Sequence, residues 1–190
     1  MGTERWRLFV AIPIGDALRA DLTAAVERWR QRPDLAGLRW TEPASWHVTL
    51  AFIGPLEMSA VPDLVGRVTD AAAAHQPMQL RTGGVGGFPS TARARVAWYG
   101  VNDPDDRLAT LATDVRSAAG VDIDGKFRGH ITVARAKREQ VDLRSWVRDG
   151  EAPPGEVPVD RVQLMRSHLG RGPARYEVLE SIAIGVVARV

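Results

Sequence analysis

The 190-residue sequence predicts an α+β fold, and three observations support that class. Apolar runs with the two-residue period of strands are separated by segments with the 3.6-residue period of amphipathic helices. The order strand, helix, strand, helix, strand occurs twice, and each second strand begins with His-x-Thr, at His47 and at His130. This weak repeat fits two lobes related by a pseudo-twofold axis, with the His-x-Thr strands side by side across a cleft. It fits equally a plain α+β domain in which the likeness is accidental.

The first elements are an apolar strand, predicted at Arg7–Pro13, and a helix from about Asp16 to Arg30. The apolar residues of this helix share one face: Leu18, Leu22, Val26 and Trp29. The strand HVTLAFI begins at His47, and we expect Gly54-Pro55 to end it.

Later elements follow the same signals. Ser59 is expected to cap a helix that runs to about Ala74, and Asp103-Pro104 to start one that ends near Ala119. A short helix is expected over 141–147 and a Pro- and Gly-rich loop over 150–158. The remaining predicted strands are Gln79–Phe88, Arg95–Val101, His130–Ala134, Val159–His168 and Tyr176–Val186.

Composition limits the classes of protein that the chain can belong to. Cysteine is absent, which excludes disulfides and thiolate metal sites, and no apolar run is long enough to span a bilayer. The N-terminus lacks a signal-peptide layout, so we expect a single cytoplasmic domain over residues 1–190. Arginine accounts for 23 of the 25 basic residues, which codon usage in a GC-rich genome mostly explains. The net charge of +2 therefore permits a nucleic-acid partner without arguing strongly for one.

The His-x-Thr strands are expected to be buried on one face only. Side chains alternate along a strand, so His47, Thr49 and Ala51 point one way, and Val48, Leu50 and Phe52 the other. In the second copy, a polar face of His130, Thr132 and Ala134 lies opposite Ile131 and Val133. The apolar faces are expected to pack into the lobes, which leaves the polar faces to form the floor of a cleft.

These residue types suit phosphoryl chemistry. A histidine with an ordinary pKa near 6.5 serves as an acid or a base at neutral pH, and a threonine hydroxyl donates to a phosphate oxygen. Two facing pairs would supply a proton acceptor on one side of a phosphorus atom and a donor on the other.

Other interpretations of the motifs fit the sequence less well. A single strand histidine is more often a structural group than a catalyst, but two histidines in one local frame favour catalysis. Zinc is disfavoured by the missing ligand spacing, and a serine hydrolase or an ATP-dependent enzyme by the missing motifs.

Four segments carry a resemblance to a known family: RLFVAIP, SWHVTLAFIG, FRGHITVARAK and QLMRSHLGRGPARYEVL. They occur in the family's order across nearly the whole chain. The sequence resembles the 2H phosphoesterases, and among them the RNA 2′,3′-cyclic phosphodiesterases, also called 2′-5′ RNA ligases. The resemblance implies two pseudo-twofold-related lobes whose antiparallel sheets line a central cleft, with the helices outside.

The resemblance also implies an activity, which is metal-independent hydrolysis of an RNA 2′,3′-cyclic phosphate end to a 2′-phosphomonoester. His47 and His130 match the catalytic pair, with His47 as the acid and His130 as the base, and Thr49 and Thr132 match the phosphate-binding residues. The family's substrate-binding arginine and R-Y motif correspond to Arg135 and Tyr176. Phe9 matches a position that can flank the terminal nucleotide, although packing is the better explanation for it.

The strand pattern leaves the roles of Arg135 and Tyr176 open. Strict alternation puts Arg135 on the face of Ile131 and Val133, so it reaches the cleft only if the strand twists or ends near Ala134. Tyr176 fits a base-stacking role and a half-buried strand position equally well.

The resemblance leaves the exact substrate open. It implies an RNA partner, with reverse 2′-5′ joining allowed. The residues themselves call for no cofactor and no metal, and nothing in the sequence argues for an oligomer, so we expect a monomer. Hydrolysis of a small cyclic phosphate derived from a nucleotide or from ADP-ribose is an alternative, as is an RNA-end-binding module without turnover.

Overall fold

A computed structural model describes residues 4–122, 125–168, 170 and 174–185, and within them it contains nine strands and four α-helices. The strands are β1 (Arg5–Pro13), β2 (Leu38–Trp40), β3 (His47–Glu57), β4 (Met78–Phe88), β5 (Val96–Asn102), β6 (His130–Ala136), β7 (Glu156–Val159), β8 (Arg161–His168) and β9 (Arg175–Ala183). The helices are α1 (Asp16–Arg30), α2 (Val61–Ala73), α3 (Arg107–Ala119) and α4 (Arg144–Asp149). The α+β prediction is confirmed.

The nine-stranded sheet has two halves, one of five strands that includes β2 and one of four. Its order is β7-β4-β5-β6-β3-β1-β8-β9, with β2 paired to β6, and every pairing is antiparallel. The halves meet at β6 and β3, the two strands that begin with the histidines, through a pairing of Val48 with Ile131. The resemblance implied two sheets, and in the structure these sheets are continuous at this one junction.

The helices cover the apolar face of the sheet. Leu18, Leu22 and Val26 of α1 are buried, as the helical period predicted. Helix α2 packs against α3 and β9, α3 against β3, and α4 against β4. The buried apolar residues of both halves, including Val48 and Ile131, form one cluster. The apolar faces of the two His-x-Thr strands are therefore occupied by the core, and their other faces are left for a site.

The helix starts differ in how they agree with the sequence. The Asp103 carboxylate accepts hydrogen bonds from the backbone N–H groups of Leu108 and Ala109, at 3.1 and 2.9 Å, as a capping side chain does. The helix itself begins only at Arg107, with Asp106 in the N-cap position, so the predicted start at Asp103-Pro104 is too early. Helix α2 instead begins at Val61 after a 3₁₀ turn and has no side-chain cap, so the prediction of a Ser59 cap is wrong.

Other differences concern short or interrupted strands. Strand β3 does not end at Gly54-Pro55 but continues to Glu57, because pairing with β1 resumes at Gly54, which adopts a φ of 79°. Strand β7 lies partly in the predicted loop, and the three-residue strand β2 was not predicted. The predicted strand end at Val186 and most of the turn after Gly170 lie outside the described residues.

Among the described residues, no helix has both the length and the apolar character needed to cross a membrane.

Candidate active site

The junction of the two halves positions the four His-x-Thr side chains. Val48 and Ile131 are opposite each other and fully buried. Antiparallel register continued by one residue in each direction places His47 opposite Thr132, and Thr49 opposite His130. Because Val48 and Ile131 point into the core, their neighbours point to the other face, and all four are half-buried there.

Sheet geometry then sets the separations. Directly opposite residues have Cβ atoms about 4.5–5.5 Å apart, and diagonal neighbours such as His47 and His130 are about 7–8 Å apart. The sequence predicted that the two motifs face one cleft, and the structure brings the four side chains together on one surface. A phosphorus centre between the two imidazoles is within reach of both.

Each imidazole is oriented by a backbone carbonyl two residues before it. His47 Nδ1 lies 2.7 Å from the Ser45 carbonyl oxygen, and His130 Nδ1 lies 2.8 Å from that of Arg128. A carbonyl oxygen only accepts, so Nδ1 carries the proton in both rings. Nε2 is therefore the nitrogen that remains for proton transfer, and both rings have the same tautomer.

Burial sets the protonation state of both rings. The pKa of His47 is lowered to about 4, chiefly by burial and to a smaller extent by the positive charges of Arg135 and of a protonated His130, while the hydrogen bond to the Ser45 carbonyl acts in the opposite direction. The pKa of His130 is also lowered, chiefly by burial and then by the charges of Arg135 and Arg128. Both imidazoles are neutral in the free protein at pH 7, and an anionic ligand between them would raise both pKa values.

Protonation of His47 is expected to destabilise the fold in mild acid. Its folded pKa lies below the unfolded value of about 6.5, so the unfolded chain binds more protons as the pH falls. The contribution of neutral His47 to the free energy of unfolding is fully present above about pH 6.5 and is lost as the pH falls towards 4. Urea unfolding at several pH values should show that His47→Asn removes about 1–3 kcal/mol of the decline over this window.

The window separates this effect from that of the carboxylates. Hydrogen bonds from Arg32 and Arg144 lower the pKa values of Asp34 and Asp142 to about 2, so their contribution declines only below about pH 3.8. Equal pH dependence of the wild type and His47→Asn between pH 6.5 and 4 would contradict burial as the cause of the His47 shift.

A β-bulge brings Arg135 to the cleft face. Thr132 pairs with Trp98, but Ala134 pairs with Ala97, so Val133 is an extra residue in β6. The bulge shifts the alternation by one, and Val133 and Ala134 both point into the core. Arg135 then shares the face of Thr132 and is exposed, and its charge lowers the pKa of both histidines.

The equivalent bulge in β3 corrects the prediction for Phe52. Ala11 pairs with Thr49 and Val10 with Ala51, which makes Leu50 the extra residue. Leu50 and Ala51 are both buried, and Phe52 emerges on the cleft face with 66% of its surface exposed. The prediction that Phe52 packs into the lobe was wrong because strict alternation does not survive the bulge.

Aromatic rings flank both histidines. The Phe9 and Tyr176 rings lie 5.0 and 5.3 Å from the His47 ring, centroid to centroid. Phe88 and Trp98 lie 5.0 and 6.1 Å from the His130 ring. The resemblance pointed to Phe9 and Tyr176, whereas Phe88 and Trp98 carried no motif. Phe88 and Trp98 lie beside His130 because strands that are distant in the sequence are neighbours in the sheet.

A groove of about 580 Å³ runs from Thr49 and His130 along the junction of the halves. Its described lining residues are Thr49, Leu50, Phe52, Gly87, Phe88, Pro89, Ser90, Thr91, Arg116, Lys126, Phe127, Arg128 and His130. Three of these side chains are cationic and none is acidic. A second cavity, of about 470 Å³, lies between Trp29 and Arg148 and includes no His-x-Thr residue.

The donor set does not suggest a metal centre. No three His, Asp or Glu side chains within the described part of the chain are grouped to hold a cation. The two imidazoles and two hydroxyls instead provide proton-transfer groups and neutral hydrogen-bond donors, which are groups that act directly on a phosphate.

Comparisons with known proteins give a consistent result. The family model described as the 2′-5′ RNA ligase superfamily matches residues 16–171. A protein of Archaeoglobus fulgidus named RNA 2′,3′-cyclic phosphodiesterase is 29% identical, with 88% of this chain and 94% of that protein covered. One of Escherichia coli with the same name is 30% identical, and the match covers 96% of this chain and 98% of that protein.

Solved structures agree with the sequence matches. A crystal structure of a Thermus thermophilus protein superimposes with a TM-score of 0.74 at 27% identity, covering 94% of this chain and 98% of that one. Escherichia coli LigT in complex with phosphate gives a TM-score of 0.71 at 28% identity, covering 96% and 99%.

Proposed function

The chain belongs to the 2′-5′ RNA ligase superfamily, and we propose that it is a metal-independent RNA 2′,3′-cyclic phosphodiesterase. The reaction is hydrolysis of a 2′,3′-cyclic phosphate at an RNA 3′ end to a 2′-phosphomonoester. The observation that supports it most directly is the register of β3 and β6, which places two His-Thr pairs across one surface. The relatives at 21–30% identity that carry the same activity in their names support it further.

The proposed reaction is an in-line displacement at phosphorus. Nε2 of His130 accepts a proton from water while the water oxygen bonds to phosphorus. The bond from phosphorus to O3′ breaks, and protonated His47 donates its Nε2 proton to the departing oxygen. The product keeps its phosphate on O2′, and the two histidines return to their starting protonation states by proton exchange with solvent.

The hydroxyl groups serve the phosphate itself. Thr49 lies opposite His130 and Thr132 opposite His47, so each hydroxyl is placed beside a proton-transfer group. We assign to them hydrogen bonds to the non-bridging oxygens, which gain negative charge in the transition state. Arg135, whose charge already acts on both imidazoles, adds electrostatic stabilisation of the same oxygens.

The anionic substrate also favours the protonated form of His47 that the reaction requires. A protonated His47 is rare in the free protein at pH 7 because its pKa is about 4. A cyclic phosphate anion between the rings favours the imidazolium, and the pair titrates as a unit once the substrate is bound. Tyr176 and Phe9 line the His47 side, where the terminal nucleoside would lie.

The expected product distinguishes this reaction from other hydrolyses of RNA ends. Incubation with an RNA ending in a 2′,3′-cyclic phosphate should yield only the 2′-phosphate, assigned by phosphorus NMR, at a rate that EDTA does not change. Side chains supply the acid, the base and the hydrogen-bond donors, so a chelator removes nothing that the reaction needs. A 3′-phosphate product, or a rate abolished by EDTA and restored by a divalent cation, would contradict the mechanism.

Microscopic reversibility allows the reverse joining of a 2′-phosphate to a 5′-hydroxyl group, with that hydroxyl in the place of water. A monomeric state and a cytoplasmic location stay predictions.

A further inference from the structure

We propose that the groove beside Phe52 is a binding subsite for the nucleotide that precedes the terminal one. The proposal rests on the proposed function, because it assigns a position to the RNA strand whose cyclic end reacts at His47 and His130. It makes an RNA of two or more nucleotides, rather than a mononucleotide cyclic phosphate, the preferred substrate.

Phe52 occupies a special position in the pseudo-twofold arrangement. It lies five residues after His47, as Arg135 lies five residues after His130, and a one-residue bulge brings each to the cleft face. The two bulges are at the same place, three residues after each histidine. The halves thus present equivalent positions around the cleft, one carrying a cation and the other an aromatic ring.

The exposure of Phe52 is built into the fold. Arg116 Nε donates a hydrogen bond of 2.8 Å to the carbonyl oxygen of Leu50, the bulged residue. The guanidinium group of Arg116 in turn lies over the Phe127 ring, 5.1 Å from its centroid. Helix α3 therefore holds the bulge, and an apolar ring that could have packed into the core stays 66% exposed.

The charge of the groove indicates the occupant. Arg116, Lys126 and Arg128 line it together with Phe52 and the other rings, and its described residues include no carboxylate. The Lys126 side chain is 85% exposed, and its Nζ lies 4.0 Å from an oxygen of the exposed Asp106 carboxylate, which is outside the groove. Cations that follow a phosphate backbone, beside aromatic rings that stack on bases, are the combination that binds single-stranded nucleic acid.

Continuity with the reaction centre sets the order of the subsites. Thr49 and His130 line the groove and also belong to the His-Thr quartet. On the same strand as Thr49, the Phe52 ring lies 6.0 Å from the Phe9 ring, which packs against His47. His47 is placed at O3′ of the terminal ribose, so Phe52 is the next exposed ring for the strand leaving that ribose.

The test compares two substrates that differ by one nucleotide: adenosine 2′,3′-cyclic phosphate and the dinucleotide ApA ending in a 2′,3′-cyclic phosphate. We expect the wild type to have a kcat/KM for the dinucleotide at least about 10-fold above that for the mononucleotide. Phe52→Ala should lower this ratio by about 10-fold, within the range that stacking of one base supplies. Met58→Ala removes another exposed apolar side chain, outside the groove, and should leave the ratio unchanged.

A second pair of variants tests the electrostatic part of the subsite. The chain has two lysines, of which Lys126 lines the groove and Lys137 does not. Lys126→Ala should reduce the dependence of the ratio on salt concentration, because one phosphate contact is lost, and Lys137→Ala should not.

The outcomes separate this proposal from the proposed function. Equal kcat/KM values for the two substrates, with no effect of Phe52→Ala on their ratio, would overturn the subsite while leaving the hydrolysis in place. A wild type inactive on both would overturn the hydrolysis. Isothermal titration with the 2′-phosphates of adenosine and of ApA then decides the subsite: tighter dinucleotide binding that depends on Phe52 supports it, and equal binding overturns it.

Discussion

Replacement of His130 by alanine is expected to lower kcat by about 10²- to 10⁴-fold, the contribution of one positioned acid or base. His47→Ala should have an effect of the same size, because each ring is oriented in the same way, by the carbonyl oxygen two residues before it. In free energy, the range corresponds to about 3–5 kcal/mol of transition-state stabilisation. The measurement is kcat on an RNA dinucleotide ending in a 2′,3′-cyclic phosphate.

Two controls make the result specific. His75→Ala removes a histidine that bonds to Asp114 at 2.8 Å, outside the groove, and should leave kcat unchanged. Added imidazole should partly restore the catalytic variants, which a loss of structure would prevent. If neither alanine variant slows hydrolysis, the assignment of the catalytic pair is wrong.

The pH profiles of these variants also assign the two roles. The base must be neutral and the acid protonated, so the wild-type kcat/KM profile is bell-shaped, with pKa values that belong to the pair. The lowered pKa values of both rings should move this free-enzyme profile to the acidic side of the ordinary histidine range. Loss of the acidic limb in His47→Ala, rather than in His130→Ala, would mean that the two roles are exchanged.

The second large effect is expected from the hydroxyl groups. Thr49→Val and Thr132→Val keep the branched shape that suits a strand and remove only the hydrogen-bond donor. Each should lower kcat about 10-fold or more, up to the 10²- to 10³-fold that one well-placed oxyanion donor contributes, and the double variant should lower kcat more than either single variant.

Separate values of kcat and KM show whether the lost hydroxyl acted on the transition state or on the bound substrate. A donor that acts on the transition state lowers kcat and kcat/KM together, whereas a donor that only binds the ground state raises KM. Thr69→Val is a matched control, because the Thr69 hydroxyl bonds to the Val65 carbonyl within α2. An unchanged kcat in the double variant would contradict the assignment of these hydroxyls to the phosphate.

Features that depend on local pattern were predictable from the sequence. Helix α1 has the predicted bounds, because its apolar face and its flanking residues are adjacent in the chain. The faces of His47, Thr49, His130 and Thr132 follow from two-residue alternation over only three positions. Over so short a distance, no bulge intervenes.

Features that depend on a distant partner were not predictable in the same way. The bulges that expose Phe52 and Arg135 exist because β1 and β5 pair with fewer residues than β3 and β6 supply. A single sequence carries no signal for that mismatch. The same holds for Arg116, whose position at the Leu50 carbonyl depends on how α3 packs across the sheet.

The pairing of Val48 with Ile131 has a consequence for how the enzyme tolerates change. Sliding β6 past β3 by one residue would turn His130 and Thr132 inward and Ile131 outward, so the whole reactive surface would be lost at once. These two aliphatic side chains therefore fix the register of the reactive strands, although neither is on the face that would contact the substrate. Selection for activity and selection for a well-packed core therefore act on the same two positions. A substitution at Val48 or Ile131 that disturbs core packing is expected to disturb the reactive surface as well.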